Sequence, residues 1–203
     1  MYHFSVPMAL MDFVPVVFFG ITAVILLGDL YSKMSKATYA LYAAGSFNVF
    51  LAGFCKALWK LLYAAGICDF QALEEMFMPV NSIGLLCTGL GLVFFVCMGK
   101  KTVMLSAAPV AVTSSLPFIA MMVVGLGGMC AGLSVIAAKM KKAPATVLFV
   151  LSFVFAMAMG YLSSQDSTLA WVNWAEQSIN TLSQGCLMAG VILLHKAGLK
   201  EHF

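Results

Sequence analysis

Glu176, Asn180, Ser183 and Gln184 stand at i, i+4, i+7 and i+8 in the last long run of the chain. That spacing puts them on one face of a helix. A carboxylate above a stripe of amides and a hydroxyl suits the binding of a cation or a proton. In lipid such a stripe must face protein or a watery cavity. Glu75, followed by Asn81 and Ser82, sets out a similar pattern earlier in the chain. Lys56 and Lys60, at i and i+4, are the basic counterparts and are within reach of Glu74, Glu75 or Asp69. Asn48 is a further polar residue deep in an apolar segment. The candidate substrate- or ion-binding set is therefore Glu176, Asn180, Gln184, Glu75, Asn81, Asn48 and Lys56.

Each of these has a plainer alternative. The two glutamates can be anchors at headgroup level, and the stripe can hold helices together by interhelical hydrogen bonds. A lone buried Asn such as Asn48 is most often glue of that kind. Lysine stems snorkel readily, which is the expectation for Lys60. Trp59, Trp171 and Trp174 fit an interfacial aromatic belt.

Other chemistries lack their residues. His3, His195 and His202 lie near chain or helix ends, so no pair is placed to hold a haem. The patterns H-E-x-x-H, G-x-S-x-G and the P-loop are missing. The six cysteines contain no C-x-x-C, and most read as small packing residues; Cys68, at a helix end beside Asp69, is the exception. No catalytic residue, metal or cofactor is expected, and the chain is not expected to be an enzyme. No sustained basic and aromatic patch suggests a nucleic acid.

Composition defines the solvent in which these residues act. Apolar residues make up 63% of 203 residues, charged residues 9%, and mean hydropathy is +1.01. A soluble domain carries about a quarter charged residues. Several apolar runs reach the ~20 residues that a crossing helix needs. The fold class is an all-α polytopic membrane protein. The short, lysine-free stretch before Phe13 does not open like a signal peptide.

Topology follows from the lysines. All 11 basic residues are Lys, and Lys33/Lys36, Lys100/Lys101, Lys139/Lys141/Lys142 and Lys196/Lys200 form clusters between apolar runs. Basic loops mark the cytoplasmic face. Placing every cluster there needs two crossings between Lys101 and Lys139, a stretch without a charge. The break would fall at Thr113-Ser-Ser-Leu-Pro117, with Pro117 in the first turn of the second helix. Seven transmembrane helices result. The alternative is six helices with a re-entrant segment within 102–138. In the seven-helix scheme the N-terminus is outside and the C-terminus is cytoplasmic, in a plasma (inner) membrane.

The two halves also align. Val14-Pro15-Val16 matches Leu116-Pro117-Phe118, and Lys33-Met-Ser-Lys36-Ala37 matches Lys139-Met-Lys-Lys142-Ala143. Ser46 and Ala52 match Ser152 and Ala158. Phe70, Glu75, Ser82, Gly84 and Gly89 match Trp171, Glu176, Ser183, Gly185 and Gly190. The implied plan is 3+1+3 parallel repeats: a three-helix unit over 1–101, a linker helix over 102–114 and a second unit over 115–203. Parallel repeats are a transporter layout, and this one resembles the layout of the small sugar transporters. Their Pro-Gln signature is missing here.

The expected function is a small secondary transporter or permease for a small polar or cationic solute, working by rocking of two three-helix bundles. The alternative is a non-catalytic membrane subunit or receptor that binds a partner protein through its outer rim. A homodimer or a membrane partner subunit is compatible with so short a chain. A central polar cavity favours transport, and a dry core with a flat apolar flank favours the alternative.

Overall fold

The computed structural model describes residues 5–99, 115–163 and 170–202, and among them every regular element is a helix. Helices are what so apolar a chain must form, because lipid offers the backbone no hydrogen-bond partner outside the segment. Ser5 starts α1 (Val6–Met11) by accepting from the Met8 amide, with Pro7 in the first turn. α2 (Phe13–Leu30) follows directly after Asp12. Ser35 caps α3 (Lys36–Ala64), its Oγ accepting from the Thr38 amide at 3.2 Å. Gly66, with φ of 67°, lies just past the end of that helix. The next helical stretch is interrupted at Met76, which separates α4 (Ala72–Glu75) from α5 (Phe77–Met98). α6 (Leu116–Lys139) has Pro117 in its first turn, as expected. α7 (Ala143–Leu162), α8 (Ala170–Lys196) and α9 (Leu199–His202) complete the described chain.

Among the described residues, five helical segments are long and apolar enough to cross a bilayer: Val6–Leu30, Lys36–Ala64, Ala72–Met98, Leu116–Lys139 and Ala143–Leu162. The chain is therefore an α-helical membrane protein. α8 has 27 residues, but its first half is polar. The linker helix expected over 102–114 lies outside the described residues, as does the loop at Gln165 and Asp166.

Six helices form a closed ring. α2 packs on α3, α3 on α5, α5 on α6, α6 on α7, α7 on α8, and α8 on α2. The direction of each helix can be read from its neighbours. Val49 lies at Gly84, Thr88 at Gly45 and Tyr42 at Gly91, so α3 and α5 are antiparallel. By contrast, Asn81 meets Met122, Leu85 meets Gly125 and Leu92 meets Gly132. The numbers rise together, so α5 and α6 run parallel. Met98 and Leu116 consequently stand at opposite ends of the bundle. α2 and α8 are also parallel, with Phe18 at Gly185 and Asp29 at His195.

Glycine makes the α5–α6 contact possible. A Cβ on Gly89 would fall 2.1 Å from the carbonyl oxygen of Gly125, and one on Gly125 would fall 2.3 Å from the Leu85 backbone. The two backbones touch, as small residues allow in membranes. Serines fill equivalent places on four other faces: Ser46, Ser82, Ser152 and Ser183 are all buried. Ser183 Oγ donates to the Ser152 carbonyl at 2.8 Å and joins α8 to α7.

The two ends of the ring differ. Lys33, Lys36, Lys139, Lys141, Lys142, Lys196 and Lys200 lie at one end, given the helix directions above. The dry core is concentrated there, with Leu30, Tyr42, Leu92, Leu133, Phe149 and Leu194 among its fully buried side chains. Asp12, Asp69, Glu74, Glu75 and Glu176 lie toward the opposite end, together with Lys56 and Lys60.

Candidate functional site

A cavity of about 520 Å³ occupies the acidic end of the ring. Its walls come from all six ring helices: the starts of α2, α5, α6 and α8 and the ends of α3 and α7. Pockets of this size suit small organic ligands. Most of the wall is apolar, including Phe19, Val49, Phe50, Leu85, Met122, Leu126 and Met157. The polar groups are few: Asp12, Lys56, Lys60, Asn81, Ser163, Glu176, Gln177, Asn180 and Gln184.

Asp12 and Lys60 form an ion pair at 2.8 Å, with each side chain 7% exposed. Asp12 stands at the junction between α1 and α2 and makes no side-chain cap bond there, and Lys60 lies in the closing turns of α3, where the helix dipole favours a cation. α1 packs on α3 and helps to hold this corner away from water, with Met8 and Ala9 buried. The pair uses only one carboxylate oxygen. Asp12 Oδ1 is buried with no hydrogen-bond partner among the described residues.

Lys56 lies one turn before Lys60 and is half-buried. Its Nζ sits 4.1 Å from the centroid of the Phe77 ring, a cation–π contact. Across the cavity Glu176 Oε1 is buried without a partner, and so is Gln184 Oε1 two turns further along α8. Asn81 Nδ2 reaches the Met122 sulfur at 3.3 Å and links α5 to α6 at the cavity wall.

The structure brings Glu176, Asn180, Gln184, Asn81 and Lys56 to one cavity. It does not bring Glu75 or Asn48 there. Glu75 is exposed on α4, and Asn48 faces Gly84 on the packed α3–α5 seam. Ser183 also leaves the expected stripe, because it turns to Ser152 on α7. Two further residues differ from their sequence expectation. Lys60 does not snorkel to the surface; it is buried against Asp12. Trp59 is not part of an exposed belt, being 2% exposed with its indole N–H donating to Asp69 Oδ1 at 3.0 Å. Trp171 and Trp174 are exposed, as a belt requires. His195 Nδ1 lies 2.8 Å from Asp29 Oδ2 at the lysine end.

Asp12 and Gln177 are the site residues that sequence reasoning missed. A signal for Asp12 existed, since an acid between two apolar helices is costly in lipid unless it has a partner. Gln177 follows Asn173 and precedes Asn180 and Gln184 at helical spacing. Among the described residues no group of His, Cys, Asp and Glu is arranged to hold a metal ion.

Fold and site together define a helical membrane protein with a one-ended, mostly apolar cavity that carries two acids and two lysines. No protein family, curated protein or solved structure matches the chain.

Proposed function

We propose that this protein is a small secondary transporter that carries a small polar or charged solute across the bilayer. One observation carries the proposal: a cavity inside a helical ring whose mostly apolar wall carries a few charged and amide groups, backed by a dry, tightly packed core at the other end. A receptor or structural subunit has no use for buried carboxylate and amide oxygens left without partners. A solute site does.

The same ring supports the 3+1+3 plan. In order of contact and in direction, α2, α3 and α5 correspond to α6, α7 and α8, as a half-turn about the ring axis would require. Ser46 and Ser82 then correspond to Ser152 and Ser183, all buried. Parallel α5 and α6 call for a further crossing between them, which is the role assigned to 102–114. The two three-helix units would rock about the central cavity. The lysine end is assigned to the cytoplasm by the positive-inside rule, with the N-terminus outside and the C-terminus inside. The cavity then faces outward.

The test is solute flux in proteoliposomes of the purified protein, measured for small organic cations and zwitterions. Wild-type flux should be lost in Glu176→Gln, with folding intact, and kept in Glu75→Gln. Flux that survives Glu176→Gln unchanged removes this carboxylate from the mechanism. No flux of any solute, with specific binding of a partner protein to the acidic end, would favour the receptor alternative.

A further inference from the structure

Four ionisable side chains of opposite sign surround the cavity, and only two of them answer each other. Asp12 and Lys60 are paired at 2.8 Å. Lys56 and Glu176 are not paired with any charge at ion-pair distance among the described residues. Lys56 has the face of Phe77, which leaves its ammonium donors without an anion. Glu176 Oε1 has nothing. The two are near enough to act on each other electrostatically, yet they do not meet.

The remaining polar demand of the cavity is one-sided. Asp12 Oδ1, Glu176 Oε1 and Gln184 Oε1 are all buried acceptors without donors. A ligand that satisfies them must bring N–H or O–H donors; a primary ammonium brings three, together with the positive charge that Glu176 calls for. A simple cation would answer Glu176 and leave Lys56 charged in a mostly apolar chamber. A simple anion would do the reverse. Either outcome leaves one charge in the mostly apolar chamber uncompensated, which is costly. The wall between the charges is apolar and includes Phe19, Met122 and Met157.

We propose that the cavity binds a net-neutral zwitterion with an apolar body, its carboxylate at Lys56 and its primary ammonium at Glu176 and Gln184. The α-amino acids with apolar side chains are the chemical class that fits. The proposal rests on the cavity being a solute site and adds which solutes it takes.

Three probes share one apolar body and differ only in charge: phenylalanine, phenethylamine and phenylpropionate. Their binding to the purified full chain in detergent is measured by equilibrium competition against tritiated phenylalanine. Phenylalanine should bind, and the other two should each bind at least about tenfold more weakly, since each leaves a buried charge unpaired. Lys56→Met should weaken phenylalanine by about tenfold or more and leave phenethylamine unchanged or improved, while Lys56→Arg keeps most of the affinity. Glu176→Gln should weaken phenylalanine and leave phenylpropionate unchanged or improved.

Phenethylamine or phenylpropionate binding as tightly as phenylalanine would overturn the zwitterion. So would the failure of all three to bind. The wild-type comparison needs no variant, so a misfolded mutant cannot shield the proposal. Phenylalanine that binds with this pattern but does not cross in proteoliposomes would sink the transport function and leave the zwitterion site standing.

Discussion

Lys60→Met should be among the most damaging single substitutions in this protein. The change keeps the length of the side chain and removes its charge. Asp12 would then be a carboxylate 7% exposed, with neither oxygen paired by an ammonium. Breaking a buried pair from one side costs about 3–5 kcal/mol. For a chain of this size, each kcal/mol lowers the melting temperature by about 2–4 °C, so the expected fall is about 6–20 °C. Asp12→Leu should also destabilise, because it removes the carboxylate paired with Lys60. The double variant should recover most of the loss, because replacing both members of a buried pair with apolar groups is often neutral or stabilising by about 1–4 kcal/mol. A thiol-reactive fluorogenic dye in detergent is a suitable assay once the exposed Cys68 and Cys97 are replaced by serine. Cys130, only 4% exposed on α6, becomes reactive when the core opens. Single variants that melt within about 2 °C of wild type would refute the buried pair. Additive losses in the double variant would refute the coupling, since partners in direct contact should be non-additive.

Three further outcomes follow from particular contacts. Gly89→Ala should destabilise by about 1–3 kcal/mol because its Cβ meets the Gly125 backbone, whereas Gly28→Ala, with nothing within 4 Å, should not; parallel melts compare them. Trp59→Phe should cost about 1.5–3 kcal/mol through the lost bond to Asp69, while Trp171→Phe, at 65% exposed, should stay within about 0.5 kcal/mol in the same assay. In intact cells, an impermeant thiol reagent should label the exposed native Cys68 from outside and spare a cysteine placed at Lys141; labelling of both from the same side would overturn the orientation.

Much of the architecture was legible because lysines and proline act locally. Lys33, Lys139 and Lys196 do mark one end of the bundle, and Pro117 does start α6. The polar face of α8 was legible because helical spacing alone puts Glu176, Asn180 and Gln184 together. Its edge was not. At ~100° per residue, Ser183 lies roughly 75° from the middle of the cavity-facing set, which turns it to α7. Asp12 and Lys60 were illegible for a different reason. Their pairing depends on α1 and α2 meeting the end of α3, a contact between elements that no local pattern encodes. Trp59 similarly depends on the turn after α3 bringing Asp69 back over it. Polar residues in the sequence announce that they need partners, and packing alone chooses the partners.

The order in which the ring closes has a consequence for biogenesis. Five of its six seams join helices that follow one another along the chain, so each has its partner soon after insertion. The sixth, between α2 and α8, must wait for the last helix of the ring. Its clasp is Asp29 with His195, separated by 166 residues. Synthesis at about 5–20 residues per second leaves α2 facing lipid for roughly ten to thirty seconds. During that interval Asp12 and Lys60 already cancel each other within the first two membrane segments, so the nascent bundle carries less uncompensated charge into the bilayer. Glu176 and its amides arrive only with the helix that seals them in. A ribosome stalled before α8 would therefore leave an open horseshoe, with the cavity unclosed and α2 and α7 lacking their last neighbour.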